Sequence, residues 1–295
     1  MSLVDLPRYE MAHVANLEEL CQLLYERESQ SRPTRLLAGG TDLMVELVRA
    51  PATDPLPLVV DVSRLDELRA IEWDGKRLSL GAAVTFAEMQ RHPLVAERAP
   101  IIARMARDVG GPTIQARGTL GGNLATASPA ADGVAVMAAL DANVLVRSAR
   151  GARRIPFAKL QTGYKASTRT AEEVIVAFEF VAPAPEATWM WRKIGPRLAQ
   201  AISKVALAGV AELEGDRATR LGLALASVAP VTARLEATRA LLAGGPLGKL
   251  DGAALDAAVE SDISPIDDVR STRVYRLHCA KALVRGFARE LGASV

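Results

Sequence analysis

Apolar residues fall at helical spacing in a few well-separated stretches of this chain. Between Leu17 and Glu28, LEELCQLLYERE puts Leu17, Leu20, Cys21 and Leu24 on one face with charges between them, which predicts a helix. TRLLA reads as a short strand running into Gly39, and DLMVELVRA, apolar at Leu43, Met44, Leu47 and Val48, predicts a helix after the Gly39-Gly40 pair. LPLVVDV (Leu56 to Val62) is continuously apolar and predicts a buried strand. In IEWDGKRLSLG, alternating Ile71, Trp73, Leu78 and Leu80 flank Asp74-Gly75, a pair suited to a two-residue turn with positive φ, so a hairpin is expected.

Further along, Thr85 and Glu88 have the spacing of a capping box. PIIARMARDVGG predicts an amphipathic helix stopped by Gly110-Gly111. PAADGVAVMAALDA predicts another, with Pro129 and Asp132 in its first turn, and NVLVRSARGARRIPF predicts a second hairpin. The strand-like stretches VIVAFEFV and WMWRKI are separated by VAPAPEAT, whose two prolines mark the expected main domain boundary. The segment ISKVALAGVAELEGDRATRLGLALASVAP predicts two long strands joined by a polar turn. Helices are then expected at Ala233 to Ala243, Leu250 to Val259 and Val269 to Leu291. Hairpins mixed with helices make the fold class α+β, without the regular strand–helix alternation of a doubly wound sheet.

Composition narrows the function classes. The chain has 295 residues, 49% of them hydrophobic, enough for more than one domain. Lys and Arg total 36 against 34 Asp and Glu, a net charge of only +2, so nothing electrostatic points to nucleic acid. No apolar run approaches the roughly 18 residues of a membrane span, and MSLVDLPRYEMAHV does not read as a secretory signal. Two cysteines, Cys21 and Cys279, supply neither a disulfide framework nor a Cys-only metal site; they read as small buried apolar residues in a reduced, cytoplasmic protein. His13, His92 and His278 show no metal-ligand spacing.

Two glycine pairs carry the candidate chemistry. LLAGGTDL and GTLGGNLATASPAAD each place Gly-Gly after a short apolar stretch, followed by small polar side chains: Thr41 in one, Asn123 and Ser128 in the other. A glycine turn leaves backbone N–H groups pointing outward as an anion-binding concavity, and two such turns would enclose a diphosphate. Neither pair is followed by the lysine of a nucleoside-triphosphate loop, and the Gly-x-Gly-x-x-Gly dinucleotide fingerprint is missing. On spacing alone, an ordinary turn at each pair remains an open alternative.

AGGTDL (Ala38 to Leu43), GTLGGNLATASPAAD (Gly118 to Asp132), RKIGPRLAQAISKVALA (Arg192 to Ala208) and SPIDDVRSTRVYRLHCAKALVRGF (Ser264 to Phe287) together resemble the FAD-binding subunit of the molybdenum hydroxylases. That family includes the medium subunits of bacterial xanthine, carbon monoxide and nicotine dehydrogenases. The similarity covers nearly the whole chain in order. It implies a two-subdomain FAD-binding fold of the vanillyl-alcohol-oxidase (PCMH) type over residues 1–181, with the subdomains changing near 55–60. A C-terminal domain of three antiparallel strands and helices would occupy residues 182–295.

The resemblance also implies residue roles. The first loop would be Leu36, Leu37, Ala38, Gly39, Gly40, Thr41, Asp42 and Leu43, offering N–H groups to the diphosphate. Thr119, Gly121, Gly122 and Asn123 would form the opposing loop, with Ser128 beyond it. Asp132 would accept from a sugar or ribityl hydroxyl, or else simply be a helix N-terminal carboxylate. Val109 would pack on the cofactor and Ile175 lie near the adenine, though both equally suit an apolar core. Lys193 matches a family lysine beside the flavin, where a cation stabilises the reduced ring; on residue type alone it reads as a surface charge. Trp189 and Trp191 read as packing residues, with shielding of the ring by one of them as the alternative.

In this family, substrate is oxidised at a molybdopterin centre on a large subunit. Electrons pass through two 2Fe-2S clusters on a small subunit to FAD, then to NAD, oxygen or a quinone. No acid–base residue is then needed here, and two cysteines are too few for a four-iron cluster. The alternatives are a stand-alone flavin oxidase of related fold and an assembly protein that has lost FAD.

Overall fold

The structure, a computed structural model, describes residues 9–49, 55–197 and 199–295. Its first layer is a three-stranded parallel sheet in the order Met11–His13, Leu58–Asp61, Thr34–Leu37. The central strand buries Leu58, Val59 and Val60, as its continuous apolar run predicts. The chain therefore leaves this sheet only after Asp61. The helix Leu17–Ser29 is capped by Asn16, whose side chain accepts from the Glu19 N–H, and buries Leu17, Leu20, Cys21 and Leu24 on one face. That face meets Leu68, Ala83 and Val174, so this layer shares its core with the next.

The second layer is a five-stranded antiparallel sheet in the order Ile71–Trp73, Arg77–Gly81, Val174–Val181, Asn143–Ser148, Gly151–Pro156. Both expected hairpins form its edges. Short helices between Phe86 and Ala139 cover it. The capping box is present: Glu88 N–H donates to Thr85 Oγ1 at 3.2 Å, and Thr85 N–H donates to Glu88 Oε2 at 2.8 Å.

Thr188–Ile194, Val205–Glu214 and Arg217–Ala226 form the third layer, an antiparallel sheet in chain order. Its two faces have different partners. Trp191, Ala206, Ala208 and Ala224 join the core of the second layer, while Leu207, Leu223 and Leu225 pack on the C-terminal helices through Phe287. Small residues on the first face let the helix Asp132–Ala139 press close: a Cβ on Gly222 would lie 1.7 Å from the Ala139 carbonyl oxygen. The C-terminal helices are Glu236–Ala243, Gly252–Asp262 and Arg273–Glu290. The last starts four residues later than periodicity suggests, because Thr272 caps it by accepting from the Tyr275 N–H. No described helix is long and apolar enough to cross a membrane.

Two expectations need correction near the candidate site. The helix expected to run to Gly110-Gly111 ends at Ala106, and Arg107 to Val109 leave it before Gly110 turns with φ +58°. Pro129 lies outside the following helix, which starts at Asp132 after Ala131 as its cap residue.

Candidate functional site

The first glycine segment is a true loop. Leu36 and Leu37 end the strand Thr34–Leu37, Ala38 to Asp42 cross over, and Leu43 opens the helix Leu43–Arg49. Gly40 sits at φ +75°, which a residue with a Cβ adopts only at a cost. A Cβ on Gly39 would lie 2.0 Å from the Arg117 carbonyl oxygen and 3.0 Å from Gly118 Cα. The two glycine segments thus meet, backbone against backbone. The N–H groups of Gly39, Gly40 and Thr41 donate to no acceptor among the described residues, so this loop keeps its donors free.

The second glycine segment differs from the expected turn: Gly121 and Gly122 form the first turn of the helix Leu120–Ala125. Thr119 caps it, its Oγ1 accepting from the Gly122 N–H at 3.0 Å. Gly121 N–H donates to the Ala82 carbonyl at 2.8 Å and Asn123 N–H to the Thr119 carbonyl at 3.0 Å. These donors are spent inside the chain, unlike those of the first loop. Gly121 is small because of Ala82, whose carbonyl oxygen and Cβ both lie 2.6 Å from where its Cβ would be. Gly122 is the less crowded position; its Cβ would meet only the capping Thr119 Oγ1, at 3.1 Å, which must give slightly.

From here hydrogen bonds lead onward. Asn123 Oδ1 accepts from the Gly133 N–H at 3.0 Å, fixing the start of the helix that carries Asp132. Ser128 Oγ accepts from the Ala130 N–H at 3.3 Å, a local turn contact. Asp132 is 6% exposed, and its Oδ2 accepts from Lys193 Nζ at 2.5 Å. Lys193 is no surface charge: its side chain is 9% exposed, and it also donates to the Asp108 carbonyl at 2.9 Å. Burial pushes the Asp132 carboxyl up to about 6 even though the Lys193 ammonium pulls the other way. Asp132 Oδ1 is buried and has no hydrogen-bond partner. A buried acceptor left unmade costs roughly 1–3 kcal/mol, so this oxygen is set for a donor from outside the chain.

Val109 and Ile175 lie in the apolar cluster of the second layer, buried and without polar contacts to this network. Trp191 is buried and Trp189 is 38% exposed. Trp191 does more than pack, since its Nε1 donates to Asp108 Oδ2 at 2.9 Å. Sequence reading passed over Asp108, which sits in what looked like the tail of an amphipathic helix and carries no motif. A cavity of about 870 Å³ opens where the strands of the first sheet end. It takes in Ala38 and Thr119 but neither Asp132 nor Lys193, so it flanks the network rather than containing it.

Free N–H donors on a glycine loop suit anionic oxygens, and a buried carboxylate oxygen lacking a donor suits a hydroxyl. A diphosphate joined to a polyhydroxylated chain has both, so the residues present fit FAD. Comparison with known proteins agrees. Residues 7–183 match the family model described as FAD binding domain in molybdopterin dehydrogenase, and residues 191–291 match the CO dehydrogenase flavoprotein C-terminal domain. The carbon monoxide dehydrogenase medium chain of Hydrogenophaga pseudoflava is 28% identical, with 95% of each chain covered. The nicotine 6-hydroxylase medium subunit of Paenarthrobacter nicotinovorans is 27% identical over 98% of this chain and 99% of that one. The solved structure of the Hydrogenophaga pseudoflava carbon monoxide dehydrogenase lacking the Mo-pyranopterin moiety superposes with a TM-score of 0.89 at 27% identity, covering 98% of this chain and 97% of that one. This chain belongs to the family of FAD-binding medium subunits of the xanthine and carbon monoxide dehydrogenases.

Proposed function

We propose that this chain is the electron-transfer subunit of a multi-subunit molybdenum hydroxylase, working beside a molybdopterin-binding large subunit and a 2Fe-2S small subunit. Bound FAD supplies a centre that exchanges electrons singly with a cluster and in pairs with an acceptor such as NAD, oxygen or a quinone. The chain's own work is to bind, orient and bias that centre. The observation that carries this reading is the buried Asp132–Lys193 pair with one carboxylate oxygen unmatched, joined through Asn123 and Thr119 to the paired glycine segments.

In this reading the Gly39, Gly40 and Thr41 amides hold the diphosphate, with Leu36 to Leu43 shaping the loop. Thr119 and Gly121 fix the facing helix turn so that Gly122 leaves room for close approach. Asp132 Oδ1 takes a hydroxyl, and the Lys193 ammonium stabilises added electron density on the ring. Val109 and Ile175 supply apolar walls. We assign the FAD-binding domain to residues 1–181, with Lys193 reaching the cofactor from the domain that follows, and place the change of subdomain just past Asp61 rather than near 55–60, because Leu58–Asp61 pairs on both sides within the first sheet.

Purifying the chain with its companions and measuring visible absorbance tests the reading. A flavin spectrum is expected, with a molybdopterin subunit and an iron–sulfur subunit in the same complex. Lys193→Gln should lower the flavin's reduction potential while Lys193→Arg leaves it near the native value. A chain without flavin absorbance, or small-substrate turnover by the isolated chain, would overturn it.

A further inference from the structure

We propose that Asp108 is a positioning residue for Lys193: it fixes the direction of the ammonium through its carbonyl and tempers the lysine's positive field through its carboxylate. This rests on the functional reading above, in which Lys193 faces the cofactor.

The geometry around Asp108 is over-determined. Trp191 and Lys193 are two residues apart on the strand Thr188–Ile194, so their side chains leave the same face. Both end on Asp108. Trp191 Nε1 donates to its Oδ2 at 2.9 Å, and Lys193 Nζ donates to its carbonyl at 2.9 Å. The other carboxylate oxygen, Oδ1, accepts from Arg104 Nη1 at 2.8 Å, one helical turn earlier. Asp108 itself lies outside regular structure, between the helix end at Ala106 and Gly110 at φ +58°. A carbonyl in such a segment is aimed only if something holds the residue, and here the side chain is held at both oxygens.

The ammonium has three N–H bonds. One goes to Asp132 and one to the Asp108 carbonyl, which leaves a single remaining donor in a set direction. Charge follows the same arrangement. Lys193 and Asp132 neutralise each other inside the protein, and Asp108 adds a further negative charge whose one ion-pair partner among the described residues, Arg104, is 39% exposed and partly screened by water. Asp108 therefore sets how much of the lysine's field reaches anything bound beside it.

Asp108→Asn separates the two roles, because the amide oxygen still accepts from Trp191 and the main-chain carbonyl stays, while the negative charge goes and with it the acceptor for Arg104. The expected result in the flavin-loaded complex is unchanged flavin content and a midpoint potential moved positive, seen as a severalfold larger reduced fraction against a reference dye. Asp108→Ala also removes the hold on the carbonyl, so flavin is expected to dissociate severalfold faster than from Asp108→Asn. An unmoved potential in Asp108→Asn with flavin bound overturns this inference alone. Absence of flavin from the unmutated chain overturns the functional reading beneath it. If Asp108→Ala does not fold, the potential of Asp108→Asn still decides.

Discussion

Asp132 carries its charge at neutral pH in a place where water barely reaches it. Its carboxyl, pushed up to about 6 by burial against the opposing pull of Lys193, ionises in the unfolded chain at the ordinary value of 3.8. Between those values the folded, ligand-free chain holds more protons than the unfolded one. Its stability is therefore full below the lower value and falls as pH rises through the window, by an amount on the order of 3 kcal/mol. A hydroxyl donated to the unpaired Oδ1 would favour the ionised form, so binding should expel that proton. Flavin affinity is expected to climb with pH, by roughly tenfold per unit at most, and to level off above about 6. Fluorescence titration of the flavin-depleted chain checks this, with Asp132→Asn as the variant that should lose the slope. A slope that survives in Asp132→Asn would assign the proton elsewhere.

At the scale of elements, the two glycine pairs look alike in sequence and are built differently. The first is a loop with free donors; the second is a capped helix turn whose donors are spent. The difference predicts different failures. Gly121→Ala forces a methyl into the Ala82 backbone and should cost about 1–3 kcal/mol of stability, seen as a lower melting temperature with or without flavin. Gly122→Ala meets only the Thr119 hydroxyl in the chain, which must give slightly, and should melt close to normally yet bind flavin weakly, because in the proposed site Gly122 leaves room for the cofactor. Equal flavin affinity in Gly122→Ala and the native chain would move the ligand away from this turn.

Local patterns read these elements well wherever a short-range interaction decides them. The Thr85–Glu88 box, the Asp74-Gly75 hairpin and the buried run at Leu58 to Val60 are examples. They read poorly where a distant segment decides. Nothing within GTLGGN tells that Ala82 presses on Gly121, and nothing within WMWRKI tells that Asp108 and Asp132 bury the lysine. The candidate set around the two glycine pairs was therefore legible as chemistry, through motif resemblance, while the division of labour within it required tertiary contacts.

Over the whole molecule, the site lies on a seam. Asp108 comes from the turn that follows one of the helices covering the second sheet and Asp132 from the first turn of another, whereas Trp191 and Lys193 come from the first strand of the third. The cores of those two layers are continuous through Trp191, Ala206 and Ala208. The only covalent link between them near this point is the short stretch from Ala182 to Ala187, which joins one strand to the next. Severing that stretch with a protease should leave two fragments that co-elute, with the flavin still attached. In urea, release of the flavin should coincide with the change in Trp191 fluorescence, since one rupture opens both. A piece ending near Val181, expressed by itself, would inherit an acid in the interior with its counter-charge left behind on the other fragment; the partition of this protein into a cofactor half and an accessory half is thus a boundary in the chain and not in its electrostatics.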